Sequence, residues 1–144
     1  MTLKEAVLSW EIERGTQQPQ PSISLVSRLV ILTSIAYYGL DTPLVTDAQF
    51  DEWCRRVHDE WDDLDPITQW KLGDPHSIHT SGFHIKCSDA DLGGLIAWLK
   101  DKKMFRWRLM VPAGAWKTKG RGKVARFRYC NVGDVSWDKR HPVS

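Results

Sequence analysis

Tyr37-Tyr38-Gly39-Leu40-Asp41-Thr42-Pro43-Leu44-Val45-Thr46-Asp47-Ala48-Gln49-Phe50-Asp51 joins two segments of unlike character. Upstream, Val26, Leu29, Val30, Thr33 and Tyr37 keep the three-and-four spacing of a helix over Ser22 to Tyr38. Ile31, Leu32 and Ile35 fill its other faces, which predicts a helix surrounded by others. Gly39 is read as a left-handed helix stop. Downstream, Thr46 with Gln49 matches a capping box. Phe50, Trp53, Cys54, Val57 and Trp61 then form one apolar stripe, with most of the acidic residues off it.

Outward from that corner, Thr2 with Glu5 caps a predicted helix over Leu3 to Arg14, and the Pro-broken run Thr16 to Pro21 connects it onward. Asp65-Pro66 opens a short fourth helix through Trp70. Gly73 to Ser81 reads as a loop carrying His76 and His79. Phe83 to Cys87 alternates as a strand does, and Ser88 and Asp91 open a helix with Leu92, Leu95, Ile96 and Leu99 inward. Phe105 to Leu109 and Val124 to Cys130 are two further strands, separated by the Lys- and Gly-rich run Gly114 to Gly122. The tail after Asp134 reads as polar, with Trp137 as an anchor. The expected class is α+β: an N-terminal helical part of three to four helices over residues 1–72, then a basic strand-helix-strand-strand unit with a small sheet over 73–144. Together they form a single domain.

Hydrophobic content of 42% and charged content of 26% fit a globular chain that buries a core without disulfides or metals. No window reaches the ~18 uninterrupted apolar residues of a membrane span. The N-terminal residues lack a signal-peptide layout, so a cytoplasmic location is expected, the host cytosol if the chain is phage-encoded. Cys54, Cys87 and Cys130 are odd in number with no close pair in sequence, and read as buried thiols.

The corner resembles a known family. Tyr37, Asp41, Pro43, Asp47, Phe50 and Asp51 match the N-terminal Ia domain of bacterial NAD-dependent DNA ligases. There a Tyr, an acidic residue and a Pro precede a helix opened by Ser/Pro-Asp-Ala-Glu-Tyr-Asp. The resemblance covers about residues 22–64. It implies a nicotinamide mononucleotide (NMN) or NAD ligand held among Tyr37, Tyr38, Asp47, Phe50 and Asp51. Aromatic faces can cover a cationic nicotinamide ring, and carboxylates can accept ribose hydroxyls. Tyr38 stands where the family usually has His, and Phe50 where it has Tyr. The same residues also make a plain helical corner, with Asp47 favoured by the helix dipole by about 0.3–1 kcal/mol. Ligation is not expected, because the Lys-x-Asp-Gly nucleophile motif has no counterpart. The nearest strings are Lys71-Leu72-Gly73-Asp74 and Lys117-Thr118-Lys119-Gly120. Stand-alone proteins with such a stretch look like phage or prophage accessory proteins, which implies a non-enzymatic role.

Net charge is +2 but unevenly spread: nine acidic and two basic residues from Asp41 to Asp65, against thirteen basic and three acidic from Lys100 to Ser144. Strand alternation would gather Lys86, His84, Arg106, Arg108, Arg126 and Arg128 on one sheet face, extended by Lys117, Lys119, Arg121 and Lys123. Such a face suits nucleic-acid phosphates. It equally suits pairing with the acidic helix or with a partner protein, which keeps a protein-binding modulator of a host factor open. A third reading is a degenerate metal-dependent hydrolase using His76, His79 and His84. Ser77-Ile78-His79-Thr80-Ser81-Gly82 resembles the Ser-x-His-x-x-Gly opening of zinc D-Ala-D-Ala-type peptidases, although Lys86 stands where those carry an Asp. Cys54 and His58, one helical turn apart, read as core rather than ligands.

Overall fold

A computed structural model describes residues 22–76, 78, 85–110 and 129–143. The predicted helix over Leu3 to Arg14 lies outside them. Helix α1 spans Ile23–Ser34, and the Ser22 hydroxyl accepts the Leu25 amide at its start. It is buried nearly all round, as its apolar faces required. Two of its hydroxyls turn back onto the helix. Thr33 donates to the Leu29 carbonyl at 2.7 Å and Ser27 to that of Ser24 at 2.8 Å, so neither is left unpaired among apolar neighbours.

The α-helix does not run on to Tyr38 as expected. It widens into a π-helical turn over Ile35–Gly39, and the Leu40 amide reaches both the Ile35 and Ala36 carbonyls. Gly39 is also not the left-handed stop. That conformation falls to Asp41, at φ 50°. Gly39 is small for another reason: a Cβ there would lie 2.5 Å from the Val132 carbonyl oxygen and 2.6 Å from that of Val135.

Helix α2, Asp47–Asp59, starts as predicted at Thr46, whose hydroxyl accepts the Gln49 amide. Its stripe packs on α1 with Trp53, Cys54 and Val57 fully buried. A 3-10 turn at Trp61–Asp63 leads to α3, Pro66–Leu72, where Asp65 accepts both the amide and the hydroxyl of Thr68. Helix α4, Asp89–Asp101, carries a complete capping box between Ser88 and Asp91.

The strands depart most from expectation. β1 (Lys86–Ser88) pairs antiparallel with β3 (Tyr129–Asn131), and β2 (Trp107–Met110) with β4 (Ser136–Pro142). Among the described residues two small sheets therefore replace the single one, and the tail read as polar is a strand. The class is α+β. A single cluster of buried side chains runs from Val26 and Leu29 of α1 and Ile35 of the π turn through Trp53 and Val57 of α2 and Leu72 of α3. It continues into Leu95 and Leu99 of α4 and to Val132 and Val135 between the last strands. Among the described residues no helix is long and apolar enough to cross a membrane.

Candidate functional site

The π turn and the first turns of α2 face each other across the connector. Between them lies a pocket of about 270 Å³ lined by Thr33, Tyr37, Tyr38, Pro43, Leu44, Val45, Asp47, Phe50 and Asp51. All five residues singled out at the corner are in this lining. Each arrives there for a local reason. One extra residue per turn in a π segment shifts the helix phase, and such turns recur at functional sites. Here it carries Tyr37 and Tyr38, whose rings meet edge to face at 5.0 Å and 85°. Tyr37 keeps half its surface in solvent, at 51%. Asp47 and Asp51 stand one turn apart on α2, on the same side as Phe50. Among the described residues the lining thus holds three aromatic rings and two carboxylates, with no cation. Such a set attracts a cationic or hydroxyl-rich ligand and repels a free phosphate. Gln49 does not complete a capping box. Its side chain is buried at 5% exposure, and Nε2 has no hydrogen-bond partner.

The basic residues are divided. Lys86 belongs to the first sheet, its ammonium 5.0 Å above the Trp70 ring. Arg108 belongs to the second. The single basic face expected from strand alternation is therefore not formed by these two residues. Arg108 does not reach the acidic α2 either. It pairs at 3.7 Å with Asp138 of its own sheet. His84, Lys117, Lys119, Arg121, Lys123, Arg126 and Arg128 lie outside the described residues.

What sequence reasoning missed is the end of β4. Between Trp107↔Pro142 and Arg108↔Asp138 the register jumps, so residues 139–141 bulge from the ladder. The bulge carries Lys139, Arg140 and His141 beside Arg106 and Arg108. Asp138, only 3% exposed, anchors them: His141 Nδ1 lies 2.8 Å from its carboxylate and Arg140 Nε 3.2 Å. Burial alone would raise that carboxyl, but the hydrogen bonds from His141 and Arg140 outweigh it and hold its pKa at about 2. The sequence signal was Asp138-Lys139-Arg140-His141 after Trp137, one buried acid among cations. A second pocket of about 430 Å³ opens here, across Pro43 from the first. It is lined by Leu40, Asp41, Thr42, Pro43, Met104, Arg106, Trp107, Trp137 and Lys139.

His76 stacks edge to face on His58 at 5.0 Å, and His79 and His84 fall outside the described residues. Among the described residues no three His, Cys, Asp or Glu side chains are grouped to hold a metal. All three cysteines are buried thiols outside any disulfide, but Cys87 and Cys130 are cross-strand neighbours with sulfurs 3.5 Å apart. That pair is formed by strand register and is invisible in the spacing. No protein-family model matches the chain, and comparison with curated proteins and with solved structures finds no match.

Proposed function

We propose that this chain is a small non-catalytic accessory protein that binds a nucleotide bearing a cationic ring, of the NMN type, in the pocket between the π turn and α2. The observation that carries the reading is the convergence of Tyr37, Tyr38, Phe50, Asp47 and Asp51 on one pocket. Its volume is at the small end of the roughly 300–1,000 Å³ common for ligand sites, which suits one ring and its ribose. The aromatic faces would take the ring, and the carboxylates the ribose hydroxyls. With no cation in the lining, a phosphate would point to solvent. Nicotinamide riboside should then bind about as well as NMN, and nicotinic acid mononucleotide more weakly, because its ring carboxylate cancels the positive charge.

Thermal melting with these three ligands tests the proposal. At about 100-fold excess over Kd, NMN should raise Tm by about 5–10 °C, and Asp51→Ala should abolish the rise. A flat melt with NMN and the riboside, or a rise that survives Asp51→Ala, would reject it.

A protein partner is the second reading, favoured by the exposed Ile67 and Trp70 on one side of α3, at 52% and 47% exposure. A pull-down from host lysate that retains a protein after nuclease treatment, and loses it with Trp70→Ala, would support that alternative.

A further inference from the structure

We infer that the groove beneath the β2–β4 sheet binds single-stranded nucleic acid. It is a different surface from the corner pocket, with the opposite electrostatic sign. Arg106 and Lys139 line it, against one carboxylate, Asp41. Neither cation is engaged by a carboxylate among the described residues. Lys139 instead rests 5.6 Å above the Trp107 ring. Arg108 and Arg140 are not in its lining; they pair with Asp138, which so holds the bulge that carries Lys139. Asp138 is 3% exposed and already paired with Arg108, Arg140 and His141, so it adds little repulsion at the groove.

The other half of the recognition is aromatic. Trp107 and Trp137 line the same groove, their rings 6.1 Å apart and inclined by 61°. Trp137 is fixed from two sides. Phe105 packs on it at 5.3 Å, and its indole nitrogen donates to the Thr42 hydroxyl at 3.4 Å. A tryptophan platform beside an arginine and a lysine that no described carboxylate engages is what a flexible strand needs: bases stack without regard to sequence while the cations take the phosphates. Two inclined rings offer separate stacking steps, which favours a splayed single strand over the regular stack of a duplex. A protein ligand would use the same cations but would gain little from aromatic faces set at that angle.

Fluorescence anisotropy with a labelled oligothymidylate of about 15 nucleotides, a matched duplex and free thymidine monophosphate tests the inference. The oligomer should bind more tightly than the duplex, and the monophosphate should compete poorly. Affinity should fall with salt, and Arg106→Ala with Lys139→Ala should weaken binding at least ~10-fold and flatten the log–log salt slope by about 1.4. Trp107→Ala should weaken binding ~5-fold or more without flattening that slope. Both variants lie on the surface or half-exposed, and unchanged melting curves will show that they remain folded. Asp51→Ala should leave oligomer binding intact, and the Arg106/Lys139 double variant should leave NMN binding intact, so the two sites fail separately. Absent binding at low salt, a preference for duplex, or equal affinity in the double variant would overturn the inference.

Discussion

Gly39 has no room for a methyl group. The atoms in the way are the carbonyls of Val132 and Val135, which belong to backbone and cannot rotate aside. Gly39→Ala must therefore separate the π turn from the 3-10 turn at Val132–Asp134. Urea melts should show a loss of about 1–3 kcal/mol or more, together with weaker NMN binding, because Tyr37 and Tyr38 ride on that turn. Gly93 is the contrast. It sits in α4 with nothing within 4 Å of a new Cβ. Gly93→Ala should raise stability by about 0.5–1 kcal/mol through helix propensity alone. Cys54 supplies a pH signature at the same scale. Burial, and then the Asp51 charge, push its thiol to about 12 from an ordinary 9.0. The unfolded thiol ionises first. Stability is thus full below pH 9 and falls as pH rises toward 12, by at most about 1.4 kcal/mol per unit. The difference in urea midpoint between the wild type and Cys54→Ala should accordingly shrink from pH 8 to pH 10.5. A constant difference would show that the thiol ionises normally in the fold.

At the scale of elements, the last strand is the one whose removal is most informative. β4 pairs with β2, and Trp137 and Leu109 pack against the core cluster. Deleting residues 136–143 should strip β2 of its partner and expose Phe105. We expect a fall in Tm of several degrees, since each kcal/mol is worth about 2–4 °C in a chain of this length. A truncated chain that melts like the full one would mean that the β2–β4 sheet is peripheral. The helices were readable because their signals are local: Thr46 before α2, Asp65-Pro66 before α3, Ser88 with Asp91 before α4. The strands were not, for β4 is defined by its partner. Asp138 looks like a solvated tail residue until Arg108, Arg140 and His141 are found around it. The same reason separates the two candidate sites. The corner pocket is built almost wholly within fifteen consecutive positions, 37 to 51, so its residues could be named in advance. The groove joins residues 40–43, 104–107 and 137–139, which only the tertiary structure brings together.

For the whole molecule, the apolar cluster decides how the parts behave. It takes side chains from all four described helices, from Cys87 of β1 and Cys130 of β3, and from the Val132–Val135 segment. Lys71 of α3 also reaches Asp91 of α4 at 3.0 Å, with both side chains largely buried, so the seam between the helical and mixed parts carries an ion pair as well. Cutting that cluster at Gly73 would leave Leu72 and the inner side of α1 uncovered on one piece, and Leu95 and Leu99 uncovered on the other. Neither piece should fold alone, and the intact chain should unfold in one step. The check is coincidence: far-UV circular dichroism and tryptophan fluorescence should report the same urea midpoint and slope. The eight tryptophans make the test stringent, because Trp53 reports from the helical core while Trp107 and Trp137 report from the β2–β4 sheet. Two separated transitions, or a fragment of residues 1–72 with native-like helicity, would show that the acidic corner and the basic β2–β4 sheet are independent units. A single transition has a functional consequence. NMN bound at the corner would then stabilise the β2–β4 sheet by the same amount as the rest of the chain, and raise the temperature to which the nucleic-acid groove survives without touching it.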